Sequence, residues 1–239
     1  MKLRDLIRPR AEGTYTAEGG GWLVYRRSEP ALARATPAEL LAQGAKQAGN
    51  LRYVIDPRRG VLLTGEVRGL DGLTVDEARA RLDAMREGPA ELPVPADEVI
   101  EAALEASGLA WSRRDTAWAV PANEILPREL KIRSVPGGVK LEAVLAEWDE
   151  IMPECGEALA RFLVAAQAGL RGARCEMDAT TARVTALVGA EQIDSDFVHA
   201  LMGVAAGCRL LARQAVALLL PDMARAYLAF HREPGAAEE

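Results

Sequence analysis

The chain is poor in the side chains that do chemistry. Its 239 residues include two histidines, three cysteines and 5% aromatic residues. His199 and His231 form neither an HxH nor an HxxxH pair, so the usual ligand spacing of a metal site is absent. Cys155, Cys175 and Cys208 are widely spaced, and without a CxxC pair they suggest neither a zinc site nor a disulfide framework. Buried free thiols in a reducing cytoplasm fit this usage. There is no GxSxG, no Cys–His pair with a base and no phosphate loop. Gly19-Gly20-Gly21 precedes the strand-like Trp22-Leu23-Val24-Tyr25, with no Lys-Ser/Thr to hold a phosphate. The sequence therefore predicts no catalytic residue, no cofactor and no metal.

Acidic residues outnumber basic ones, 35 to 29. The net charge of -6 lacks the basic face of a nucleic-acid binder. Arg58-Arg59 and Arg113-Arg114 are pairs in polar turns. Met1 to Arg8 has no apolar stretch of the secretory kind. The longest apolar stretch, Val198 to Leu220, contains His199, Arg209, Arg213 and Gln214. Two central arginines are costly in lipid, so it reads as a buried amphipathic helix and not a membrane span. Asp149-Glu150 and Glu154-Glu157 could be imagined as a general acid–base pair, but carboxylates at helix starts are explained by the exposed N–H groups there.

What the chain does have is one unit written twice. Residues 37–87 and 154–219 both read helix, strand, turn, strand, helix. A constant offset pairs Leu41 with Leu163, Arg52 with Arg174 and Asp56 with Asp178. In the first copy Thr36-Pro37 with Glu39 opens a helix, and Gly49-Asn50 closes it. Tyr53 and Ile55 alternate with Arg52 and Val54. Asp56-Pro57-Arg58-Arg59-Gly60 turns the chain into a return strand ending at Val67. Thr74 with Glu77 then caps a helix carrying Val75, Ala78, Leu82 and Met85.

Residues 88–96, with three prolines, form a linker. The expected organisation is a partial α+β module over 1–91 and a complete one over 97–232. The second begins with a helix bearing Val99, Ile100, Leu104 and Leu109. A hairpin follows around Ser112-Arg113-Arg114-Asp115, flanked by Trp111 and Trp118. Leu130 to Arg133 and Val139 to Leu145 alternate apolar and charged residues, which predicts a sheet with one face in the core and one in water. A helix from Pro153 carries Leu159, Phe162, Leu163 and Ala166. The last long helix, capped by Asp194 or Ser195, carries Leu201, Val204, Cys208, Leu211, Ala215 and Leu218.

The run Ala165-Ala166-Gln167-Ala168-Gly169-Leu170-Arg171-Gly172-Ala173-Arg174-Cys175-Glu176-Met177-Asp178 is a helix end, a small-residue turn, a strand and an acidic turn. With the hairpin and alanine-rich helix that follow, it resembles the type III secretion chaperone-like fold, especially its YbjN-like branch. Residues 22–87 look like a partial copy lacking the first helix. The resemblance implies an α+β fold of two related modules, each an antiparallel sheet packed on helices, and work in binding other proteins without catalysis. Such chaperones are typically homodimers, so two units in one chain imply an internal pseudo-dimer, or a homodimer if each unit seeks its partner in another chain. No nucleic acid or membrane is expected as a partner.

Trp22, Trp111 and Trp118 are the candidate partner-binding residues, because tryptophan is enriched at binding hot spots and these fall on predicted strands. Core packing is the competing account. The competing function is a small-molecule-binding or enzymatic α+β domain whose site is assembled from dispersed acidic residues.

Overall fold

The computed structural model describes residues 13–18, 22–47, 49–68, 74–87 and 93–231. The triple glycine 19–21 and residues 88–92 of the linker lie outside them, as do the side chains of Val75 and Met85.

The fold is α+β, with two antiparallel sheets of four and six strands. The first unit comprises β1 (Thr14–Glu18), β2 (Trp22–Ser28), α1 (Pro37–Ala45), β3 (Arg52–Asp56), β4 (Gly60–Arg68) and α2 (Val75–Glu87). Its sheet order is β1-β2-β4-β3. The second unit comprises α3 (Asp97–Ala106), β5 (Ser112–Arg114), β6 (Ala117–Val120), β7 (Leu130–Val135), β8 (Gly138–Glu147), α4 (Pro153–Ala166), β9 (Arg174–Met177), β10 (Thr181–Gly189), α5 (Ile193–Ala217) and α6 (Pro221–Phe230). Its sheet order is β5-β6-β7-β8-β10-β9.

The repeated order is present as helix, hairpin, helix in both places: α1-β3-β4-α2 and α4-β9-β10-α5. The turns correspond in chemistry as well as in position. Asp56 Oδ1 accepts the N–H groups of Arg58 and Arg59, and Asp178 Oδ1 accepts those of Thr180 and Thr181. Both capping boxes form. Glu39 accepts from the Thr36 N–H at 2.7 Å, and Glu77 from the Thr74 N–H at 2.7 Å.

Several local expectations change. β1 is a strand that residues 1–20 did not announce, and it pairs with β2 along its length. The hairpin expected around 112–115 forms as β5 and β6, but Ser112–Arg114 are strand and the chain turns at Asp115 with φ +54°. α5 starts at Ile193 after a 3-10 turn, with no side-chain cap from Asp194 or Ser195. Its inward residues Leu201, Val204, Cys208, Leu211, Ala215 and Leu218 are all buried. On α3, Ile100 and Leu104 are buried while Val99 faces solvent. On α4, Leu159 and Leu163 are buried while Phe162 and Ala166 are only partly covered.

The alternation expected in β3 fails for a physical reason. Arg52, Tyr53 and Val54 are all buried, and Ile55 is exposed. The first sheet is covered on both faces. One face, with Leu23, Tyr25 and Leu63, packs on α1 and α2. The other, with Val24, Arg52, Thr64 and Glu66, is turned to the second unit. The charged face of the second sheet is likewise not simply in water. Glu142 and Glu176 are buried beneath Arg133, Lys140 and Arg174, which bond to them.

α5 lies across β8 and β10 and also touches α3 and α4. Two glycines allow the close approach. A Cβ on Gly203 would stand 2.6 Å from the Arg171 carbonyl oxygen, and one on Gly207 would stand 2.9 Å from Val184. By length and composition, Ala190–Ala217 could cross a membrane, but 44% of its most apolar window is buried inside the protein.

Candidate functional site

The two sheets meet where their end strands, β3 and β9, would otherwise leave unpaired edges. A buried amide fills the gap. Gln167, in the turn after α4, is 2% exposed. Its Nε2 donates to Tyr53 O of β3 at 3.0 Å, and its Oε1 accepts from the Cys175 N–H of β9 at 2.9 Å.

Two arginines flank this amide. Arg52 is 1% exposed. Its Nε donates to Gln167 O at 3.1 Å, Nη2 to Leu170 O at 2.7 Å, and Nη1 to Asn50 O at 3.2 Å. Nη1 and Nη2 also grip Glu66 at 3.3 and 3.2 Å. All five guanidinium protons thus have acceptors, which permits so polar a group to be buried. Glu66 in turn accepts the Gly172 N–H at 2.5 Å. Gly172 has φ +67°, a conformation suited to glycine, and a Cβ there would meet the Trp22 ring at 3.5 Å.

Arg174 sits at the corresponding position of the other hairpin and is 5% exposed. Its Nη1 donates to Gln47 O at 2.7 Å and Gly49 O at 3.2 Å, and its Nη2 to Ala45 O at 3.1 Å. These carbonyls end α1. Nε and Nη2 both reach Glu176 Oε1. Burial lowers the Arg174 pKa, and Glu176 partly restores it. Burial raises the Glu176 carboxyl, but Arg174, Lys140 and Thr185 outweigh that and hold it below the ordinary carboxylate range. Glu18 behaves in the same way: burial raises it, and Arg26 and Arg171 bring it down.

Beside this seam lies a cleft holding about 480 Å³ of empty space, its open mouth included. Trp22, Glu66 and Arg81 come from the first unit, and Gly172, Gln192, Asp196 and His199 from the second. Arg81 approaches Asp196 at 3.9 Å. His199 Nδ1 lies 3.2 Å from Ser195 O, an acceptor to which that nitrogen can donate.

The tryptophans do not converge. Trp22 lines the cleft. Trp111 is half-buried against the core beside β5. Trp118 is 1% exposed, donates to Glu101 at 3.1 Å and lies under the Arg113 guanidinium. A ring sealed in this way is core and offers no surface to a partner. Trp148 donates to Ala179 O at 2.6 Å. Glu154 is in the first turn of α4, and Glu157 pairs with Arg161. His231 stacks near Tyr227 at the end of α6, far along the chain from His199. Burial pushes the thiol of Cys175 up to about 12 and that of Cys208 up to about 11, and it also raises Cys155. Among the described residues, no group of three or more His, Cys, Asp or Glu side chains is placed to hold a metal ion.

Sequence reasoning paired Arg52 with Arg174 but gave them no role, and it missed Glu66 and Gln167. The one available signal was the shared offset, which set an arginine at the same strand position twice. In the comparisons with known proteins, no family model matches this chain, and no curated protein matches it.

Proposed function

We propose that the chain is a cytoplasmic, non-enzymatic protein-binding protein, a chaperone or adaptor of the type III secretion chaperone-like, YbjN-like kind, built as an internal pseudo-dimer. The observation that carries this reading is the helical surface of the second unit. Val198, Met202, Leu210 and Val216 on α5, with Met223 and Phe230 on α6, are exposed large apolar side chains. Leu210 is 68% exposed and Phe230 84%. Scattered apolar residues on a surface mean little, but a series along one helical layer suits a partner's apolar face. The element order from α3 to α5 and the helix–hairpin–helix correspondence support the family reading. The seam supports the pseudo-dimer, since an arginine of each unit bonds the carbonyls at a helix end of the other.

Affinity capture from native lysate tests the function. The wild-type chain should hold a defined protein that a Leu210→Asp/Phe230→Asp variant of equal thermal stability releases. Equal capture by both, or capture by neither, would sink the reading.

A second reading, small-molecule binding, is favoured by the cleft, which the Trp22 ring, the Arg81 cation and the His199 imidazole line together. A metabolite that raises the melting temperature of the wild type, but not of Arg81→Ala, would support it over protein binding.

A further inference from the structure

The cleft beside the seam carries one charge of each sign, Arg81 from α2 and Asp196 from α5. They approach to 3.9 Å, which is beyond a direct hydrogen bond. Among the described residues, neither side chain makes a hydrogen bond. Both are partly buried. The nearby carboxylates are engaged elsewhere. Glu66 holds Arg52 and the Gly172 N–H, and Glu77, one turn before Arg81, is committed to the Thr74 cap. Much of the remaining lining is apolar: the Trp22 ring, Val67, Leu187 and Ala200 border the same space. The cleft thus joins a loose charge pair to an apolar wall.

This combination selects a chemistry. An anion alone would serve Arg81 and repel Asp196, and a cation alone would do the reverse. A neutral apolar compound would use the wall and strip water from both charges without replacing it. A quaternary ammonium has no N–H to donate to Asp196. A zwitterionic α-amino acid meets every demand. Its carboxylate accepts from the Arg81 guanidinium, and its ammonium donates to the Asp196 carboxylate. Both groups are carried on one carbon, so they suit a cation and an anion standing 3.9 Å apart. An apolar side chain then lies against Trp22 and Leu187. The empty space of about 480 Å³, open mouth included, is of the size that small-molecule sites use.

We propose that the cleft binds a free α-amino acid with an apolar side chain, its carboxylate on Arg81 and its ammonium on Asp196. The inference rests on the small-molecule reading of the cleft and names the ligand class. Arg81 belongs to the first unit and Asp196 to the second, so the bound molecule clasps one unit to the other.

Isothermal titration calorimetry on the purified full chain tests it, with L-phenylalanine, L-leucine and L-methionine as probes. At least one should bind in a one-to-one ratio and raise the melting temperature. Hydrocinnamate, which lacks the ammonium, and phenethylamine, which lacks the carboxylate, should each bind at least about tenfold more weakly than L-phenylalanine. Arg81→Gln and Asp196→Asn should each weaken the amino acid by a similar factor. Asp196→Asn should at the same time leave hydrocinnamate no weaker, because it removes a repulsion; a merely structural Asp196 would not separate the two ligands. Circular dichroism checks that each variant is folded, and Arg81→Lys serves where Arg81→Gln is not tolerated. Hydrocinnamate binding as tightly as L-phenylalanine would overturn the proposal, as would amino-acid binding indifferent to both substitutions. Should none of the amino acids bind, the proposal falls. A different metabolite whose stabilisation depends on Arg81 then keeps the cleft as a small-molecule site, and the absence of any such metabolite removes that reading too.

Discussion

Arg52 and Arg174 occupy matching strand positions, each opposite a buried threonine, Thr64 or Thr185, and each bonds the carbonyls that end the other unit's helix. Arg52 reaches Gln167 and Leu170 beyond α4, and Arg174 reaches Ala45, Gln47 and Gly49 at the end of α1. A cation at a helix C-terminus meets unsatisfied carbonyls and the negative end of the helix dipole. The relationship is reciprocal, so neither unit's helix end is complete without the other. The two arginines differ in their acids. Glu66 lies on the neighbouring strand from Arg52, whereas Glu176 lies on the same strand as Arg174.

Arg52→Ala should therefore destabilise the protein by about 3–5 kcal/mol, since it strands a buried Glu66 carboxylate. Arg52→Lys should recover little, because an ammonium has three donors and no fork to match five acceptors. Urea unfolding of both variants checks this. A loss below about 1 kcal/mol for Arg52→Ala would show that water replaces the guanidinium.

Gln167→Leu should cost about 1–3 kcal/mol for each buried group it leaves unbonded, the Tyr53 carbonyl and the Cys175 N–H. Gln167→Glu retains an acceptor for Cys175 but loses the donor to Tyr53, so it should fall no closer to the wild type than one bond allows. Calorimetry on the pair separates the two contacts.

Two glycines should respond in opposite directions to the same methyl. Gly203→Ala drives a Cβ to 2.6 Å from the Arg171 carbonyl and should destabilise by roughly 1–3 kcal/mol. Gly44→Ala, inside α1, meets nothing closer than 3.8 Å and should stabilise by roughly 0.5–1 kcal/mol. Melting temperatures that move together would show that α5 is not held against the 171–172 turn.

The seam also sets an acid limit. Glu176 is held below its ordinary pKa in the folded protein. A depressed acid stabilises the fold above its unfolded value and loses that contribution as pH falls through the folded one. Stability should therefore decline below about pH 4.3, the ordinary glutamate value. Glu176→Gln should be less stable at neutral pH and show a shallower decline, read from urea midpoints at several pH values. An unchanged slope would remove Glu176 from the acid response.

The legible parts of the fold were those written in local chemistry. The Asp56 and Asp178 turns, both capping boxes and the inward stripe of α5 depend on residues within a few positions of one another. The seam was hidden because a charged residue within a strand pattern reads as facing water. Arg52 finds its acceptors 115 and 118 residues away, and no periodicity carries that distance. β5 is three exposed residues, too short to show a period, and the burial of Glu142 and Glu176 depends on Arg133 and Lys140 arriving from other strands. Trp118 carried a binding signal by residue type and strand placement, and its burial separates it from Trp22, which lines the cleft.

The Arg52–Gln167–Arg174 seam should join the two related units into one cooperative body. Native-state hydrogen exchange in increasing urea tests it most directly, by comparing the slowest amides of β4 with those of β10. Both strands should share one opening free energy and one urea dependence. Amides of β4 that open at distinctly lower free energy, while β10 stays protected, would contradict it.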